Sequence, residues 1–464
     1  MGVLKGDRKM LTWKKLFYDQ RIRDLEKNRV IKSIGIRNEF DRDFDRIIYS
    51  SSIRRLQDKT QVFPLQENDF TRTRLTHSME VMALGESMAW SIANNINKQK
   101  KDEEFNSLEK MKRLPSMVKV ACLVHDLGNP PFGHYGEAII KNWFKTFFEH
   151  NKELEMSDEQ KNDFINFDGN AQTIHILCSL QFLNDKFGVN FTLGSLSALM
   201  KYPWSSSDSK AKKGKFGYMQ SEKEIFENIV NKIGVGNLGK RHPAALIMEA
   251  ADDIADGTVD MEDGIKKGIV PWSSYEEELN KKLKLILNDK DYKKYKDNIQ
   301  RKNDLVRYQN FKINLQGALI KKSISNFMNN YEKIMEGSYT DDLYEDKVLK
   351  EILSDIEKYT IKHCFNDREV LKLELMGDKI LSDLLDLFVP AVLSKDKNDK
   401  EKKLVSLISD NFKEVQVLKL ENDVETDIDS LRDYEKIQLV VDYISGMTDS
   451  YASSLHKELK NGTM

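Results

Sequence analysis

Residues 115–137 read PSMVKVACLVHDLGNPPFGHYGE, and this stretch decides the fold class. Met117, Val120, Ala121, Val124 and Leu127 recur at intervals of three and four, the spacing of one apolar helix face, and Pro115 suits a first helical turn. Gly128 and the Pro130–Pro131 pair stop the pattern. The spacing predicts a helix over 116–127 with His125 and Asp126 in its last turn, about 100° apart around the axis. Side chains placed so can reach one point beyond the helix end, where the dipole favours a cation. Three glycines, two prolines, His134 and Glu137 follow within a few residues. That density predicts a fixed turn presenting His134 and Glu137 beside the His–Asp pair.

Upstream, residues 76–97 carry Met79, Met82, Ala83, Met88 and Ile92 on one side of a second helix, which His77 opens. Downstream, a third helix begins near Pro243 and carries Leu246, Ile247, Ala250, Ala251 and Ile254. The same helix bears Glu249, Asp252, Asp253, Asp256, Asp260 and Asp263. Asp252, Asp256 and Asp260 share a face at four-residue steps, where like charges each cost a few tenths of a kcal/mol when exposed and more when buried. Gly257 weakens that helix by about 1 kcal/mol relative to Ala. Such a stripe needs a cation, basic partners or protonation. His77, His125, Asp126 and an acid from the third helix are a mixed nitrogen and oxygen donor set on three segments. It suits a Mn, Fe, Mg or Zn-like ion that activates water against phosphate esters. Read singly, the His–Asp pair is a helix-end hydrogen-bonded pair and the acids a solvated face, though the apolar EAADDIA context disfavours the latter for Asp252 and Asp253.

The rest of the chain fits a large helical protein. Its 464 residues are 40% hydrophobic, only eight prolines interrupt them, and neither strand-type alternation nor a GxGxxG motif is present. A net charge of -2 lacks the basic excess of a general duplex binder. Cys122, Cys178 and Cys364 are widely separated and form no CxxC, which predicts a reducing cytoplasm. MGVLKGDRKM at the start has no apolar signal region, and Gly6 stands where myristoylation needs Ser or Thr. No apolar run approaches a membrane span, so the expectation is a soluble cytoplasmic protein. Residues 205–217, SSSDSKAKKGKFG, read as a polar, basic loop that is either solvated or a lid facing phosphate, and residues 395–403, KDKNDKEKK, as a solvated loop.

Taken together, RRLQDKTQVFP, RTRLTHSMEV, ACLVHDLGNPPFGHYGE, DGNAQT, LMKYPW, IMEAADDIADGTVDMEDG and DYISGMTD resemble the HD-superfamily deoxyguanosine triphosphate triphosphohydrolases. The resemblance covers roughly residues 30–265, with the short match at 442–449. It implies a mainly α, large helical HD-domain phosphohydrolase fold. Residues 1–270 would be the metal-dependent core with the nucleotide pocket, and 271–464 a helical region packed on it that contributes oligomer contacts. The implied reaction is hydrolysis of dGTP to deoxyguanosine and tripolyphosphate with Mn, Mg or Fe as cofactor. The implied metal ligands are His77, His125, Asp126 and Asp252, with Asp253 the adjacent alternative. His134 and Glu137 match the catalytic His and Glu. Gln61 and Asp260 match groups on the sugar, Val62 a residue near the base, and Arg74, Asn170, Lys201 and Tyr202 groups around triphosphate and sugar; Lys215 is a further phosphate contact. Arg74 also reads as a simple partner of Glu80 or Asp69. The resemblance further implies a homo-oligomer, commonly a hexamer.

One position departs from the family pattern. Asp256 stands where the family usually carries Tyr. A carboxylate there repels a triphosphate unless a lysine or second cation neutralises it, and it removes an aromatic wall against a ribose 2′-hydroxyl. The alternatives are a broad dNTP triphosphohydrolase, another HD phosphohydrolase, or a regulator that binds nucleotide or single-stranded DNA with weak catalysis.

Overall fold

The helices that position the site are α1 (Arg74–Lys98), α2 (Arg113–Val124), α3 (Gly133–His150), α4 (Gly169–His175) and α5 (Pro243–Lys266), followed by α6 (Asp304–Asn329), α7 (Lys347–Thr360), α8 (Arg368–Leu393), α9 (Asp433–Ser445) and α10 (Asp449–Asn461). The structure, a computed structural model, describes residues 10–27, 37–63, 65, 70–180, 187–211, 214–418 and 428–461. Residues 1–9, read above for a signal, lie outside the described residues, as do Asp69 and the Lys212–Lys213 pair of the basic loop. The fold is all-α: among the described residues extended pairing is confined to isolated bridges such as Thr60–Thr73. None of the described helices is long and apolar enough to cross a membrane.

Local signals start the three central helices. Thr73 caps α1 reciprocally with Thr76, and α5 opens on Pro243 with the His242 ring accepting from the Ala244 N–H. α1, α2 and α5 then pack on one another. They approach closely because small residues meet at the crossing. A Cβ on Gly85 would collide with the Cys122 sulfur and lie 3.5 Å from the Ala251 Cβ. The buried face of α1 accordingly runs through His77, Val81, Gly85, Met88, Ala89 and Ile92. Met79 and Ala83, expected on that side, are exposed, because each stands two residues, about 200° around the axis, from the buried Val81.

α2 ends one residue before the His–Asp pair. His125 is its C-cap, and Asp126 lies in the turn over 125–128 rather than in the last helical turn. The reason is a competing acceptor: the Gly128 N–H donates to the Thr173 hydroxyl at 2.9 Å instead of continuing the helix. The expected loop at 395–403 is also half helical. Asn398 and Glu401 form a reciprocal cap that starts a helix at Asp399.

Helices beyond residue 270 lie directly on those before it. α6 and α7 pack on α5, and α8 packs on α3, α9 and α10. A Cβ on Gly257 would stand 2.9 Å from the Leu353 Cδ2 of α7, so the glycine that weakens α5 also admits its neighbour. DYISGMTD braces the site turn. Asp449 accepts from the Thr60 N–H and the Phe132 N–H, each at 3.0 Å, and Asp442 accepts from the Gln172 amide at 2.9 Å.

Candidate metal centre and its surroundings

His77 in the first turn of α1, His125 at the end of α2 and Asp252 in the middle of α5 converge. One donor atom from each lies within 4.8 Å of the others. Asp252 Oδ1 is 3.2 Å from His77 Nε2 and 3.1 Å from His125 Nε2. Ligands at right angles around an ion about 2.1–2.2 Å from each stand about 3.0–3.1 Å apart, so the spacing suits a divalent cation in octahedral geometry. The tautomer suits it too. His125 Nδ1 donates to the Cys122 carbonyl at 2.7 Å, which leaves Nε2 as the lone-pair nitrogen, buried and without a hydrogen-bond partner among the described residues.

Charge around the trio is arranged for a cation. Burial raises the Asp252 pKa, but Lys201 and the two imidazoles outweigh it and hold the carboxyl well below the usual range. Lys201 donates to Asp252 Oδ2 at 2.6 Å. Burial opposes charge on His77, but Asp256 and Asp252 prevail and raise its pKa to about 9. A metal takes the place of the proton that such a ring carries at neutral pH.

Asp126 stands at the rim and is not one of the convergent trio. Its Oδ2 accepts from Arg74 Nη1 at 2.6 Å and its Oδ1 from the Asn129 amide at 2.7 Å, while Oδ1 is 3.6 Å from His125 Nε2. Arg74 therefore pairs with Asp126 and not with Glu80; Asp69, the other partner considered from sequence, lies outside the described residues. Glu80 is taken by Arg72, which also holds Glu262 and Asp263 and ties the start of α1 to α5.

His134 and Glu137 lie at the start of α3, which opens on Gly133 after its N-cap Phe132, both at positive φ. His134 is 78% exposed, with Nδ1 3.7 Å from Glu137 Oε2. Glu137 is buried, accepts from the Gly169 N–H at 2.8 Å and lies 3.5 Å from Lys215 Nζ. Burial raises its pKa, but His134 and Lys215 bring it down to about 2. Lys215 also lies 3.1 Å from Asp168, so the basic loop does reach this corner. Gly169 joins the two halves of the site: a Cβ there would meet both the Asn129 side chain and Glu137 Oε1.

The remaining residues surround this frame. The Gln61 amide donates to Asp256 Oδ1 at 2.9 Å, whereas Val62 is buried in the apolar core. The Asn170 side chain turns back to Asp168 at 2.7 Å, and the half-buried Tyr202 packs against Trp204. Asp260 has its pKa raised well above the usual range by burial and by Asp256, while at Asp252 the stripe is met by Lys201. Beside the stripe lies a cavity of about 570 Å³ lined by Asp253, Asp256, Asp260, Tyr344, Leu353 and Phe365. Sequence reading missed Lys59, which is buried and donates to the carbonyls of Asn129 at 2.5 Å and Ser445 at 2.8 Å. Nothing local marks a lysine for that position.

The HD-domain family profile matches residues 74–171, and a phosphohydrolase-associated domain profile matches residues 392–458. The chain is 37% identical over 470 residues to a deoxyguanosinetriphosphate triphosphohydrolase-like protein of Listeria innocua, an alignment that spans 97% of this chain and 99% of the relative. A protein of the same description from Listeria monocytogenes is also 37% identical with the same coverage. A deoxyguanosinetriphosphate triphosphohydrolase of Salmonella paratyphi A is 31% identical over 481 residues, spanning 90% of this chain and 93% of the relative.

Proposed function

The chain belongs to the HD-domain deoxyguanosinetriphosphate triphosphohydrolase family, and from that premise we propose that it hydrolyses deoxynucleoside triphosphates, dGTP foremost, to the nucleoside and tripolyphosphate. The observation that carries this reading is the convergence of His77 Nε2, His125 Nε2 and Asp252 Oδ1, with Arg74 and Lys201 beside them. These three residues with Asp126 would hold a divalent cation of the Mn, Mg or Fe kind, which would supply Lewis acidity that lowers the pKa of water and neutralises phosphate charge.

The chain's own residues do the rest. Water attacks the α-phosphorus and the bond to the sugar 5′-oxygen breaks, so the leaving alkoxide needs a proton. The exposed His134 supplies it, and Glu137, itself fixed by Gly169 and Lys215, orients the ring. Arg74 and Lys201 exchange their carboxylate partners for phosphate oxygens, with Lys215, Asn170 and Tyr202 around them. Gln61 and Asp260 hold the sugar for in-line attack, with Val62 near the base. Residues 1–270 carry the chemistry. Residues 271–464 pack on that core and contribute contacts in a cytoplasmic homo-oligomer.

The test is incubation of pure protein with each dNTP and with GTP, in Mg or Mn, while resolving nucleoside, tripolyphosphate and pyrophosphate. Deoxyguanosine with intact tripolyphosphate is the expected result. A monophosphate with pyrophosphate refutes the reaction, and tight binding without product favours a nucleotide-binding regulator.

A further inference from the structure

A single oxygen of Asp256 faces two functional side chains. The Gln61 amide donates to Asp256 Oδ1 at 2.9 Å, and His77 Nδ1 lies 3.5 Å from the same atom. His77 is fully buried, and its Nδ1 has no hydrogen-bond partner among the described residues. The opposite nitrogen, Nε2, is the one 3.2 Å from Asp252 Oδ1. Asp252 and Asp256 are one turn apart on α5, so consecutive carboxylates of one helix face stand at the two nitrogens of one imidazole.

A metal-bound histidine is aimed by whatever accepts its far N–H, which fixes the tautomer and raises the basicity of the ligating nitrogen. His125 obtains this from the Cys122 carbonyl at 2.7 Å. For His77, Asp256 is the group in the corresponding place, its Oδ1 3.5 Å from Nδ1. The Asp256 side chain keeps 45% exposure toward the cavity beside α5, so it is not sealed into the core for packing alone.

We infer that Asp256 is a positioning residue: it holds His77 as the Nδ1–H tautomer with Nε2 directed at the cation, and it tethers Gln61 to the same centre. The inference rests on the reading of His77, His125 and Asp252 as a cation site. It gives the carboxylate a use other than contact with nucleotide, and it places the residue that separates this chain from the resembled pattern behind a ligand rather than in front of the phosphates.

The experiment is Mn titration of the chelator-stripped full chain, followed by electron paramagnetic resonance of free Mn, with no nucleotide present. Wild type, Asp256→Asn and Asp256→Ala are compared, with thermal unfolding to confirm that each is folded. Loss of such a support weakens metal binding by about 10–100-fold. The Ala variant should fall in that range, and Asn, which keeps a weaker uncharged acceptor, should lie between it and wild type. Wild-type affinity in either variant, or equal weakening in both, overturns the inference. Should Ala not fold, the isosteric Asn variant decides: intermediate affinity supports the role and unchanged affinity removes it. Failure of wild type itself to bind Mn is a different result, since it refutes the cation site rather than the part played by Asp256.

Discussion

Replacing His134 with Ala should separate chemistry from folding and from metal binding. The ring is 78% exposed and contacts Glu137 Oε2 at 3.7 Å, so little apolar surface or packing is lost. Glu137 keeps the Gly169 N–H at 2.8 Å and Lys215 at 3.5 Å, so no buried carboxylate is stranded. The change in stability should stay within about 0.5 kcal/mol, as for a surface substitution. Metal content should not change, because His134 is not one of the convergent trio. Turnover is another matter. Without a proton donor for the 5′-oxygen, kcat should fall about 10²–10⁴-fold, or about 3–5 kcal/mol of barrier. Chromatographic release of deoxyguanosine at saturating dGTP and Mn measures the first quantity, metal analysis the second and thermal unfolding the third. A fall below tenfold refutes the assignment of a general acid. Loss of metal shows His134 to be a ligand and refutes the arrangement of the site.

Gly128→Ala should destabilise the protein by about 3 kcal/mol or more, because its Cβ would collide with the Gly169 carbonyl and the Thr173 nitrogen and lie 2.7 Å from the Gln172 carbonyl carbon, backbone atoms that cannot rotate aside; an unchanged melting temperature would refute the close packing of the His–Asp turn on α4. For His175, burial alone would lower the pKa, but Asp442 and Glu222, at 3.1 and 2.7 Å, raise it to about 9. The folded value lies above the unfolded value of about 6.5, so this contribution is complete below pH ~6.5 and is lost as pH rises through 9, by an amount on the order of 3 kcal/mol. Urea midpoints should decline over that interval in wild type and flatten in His175→Gln, and parallel profiles would refute the role.

The helices and the order of the motifs were legible in the sequence because they rest on short-range physics. Pro243 at a first helical position and the three-and-four spacing from Met117 to Val124 act within a few residues, whereas α1, expected from residue 76, starts at Arg74 under the Thr73–Thr76 cap. The convergent groups His77, His125 and Asp252 were named through the family resemblance that the motif order carries, whereas residue types alone left the acid of the third helix open. Tertiary structure alone decided the partners. Asp126 is engaged by Arg74, across 52 positions; Lys59 holds Asn129 and Ser445, the latter 386 positions away; Asp449 reaches Thr60 across 389. Periodicity also misplaced Met79, which stands two residues, about 200° around the axis, from the buried His77, because the crossing with α2 and α5 and not apolar spacing alone selects the buried face. A buried charge takes the partner that packing brings within hydrogen-bond reach, and chain position does not fix which group that is.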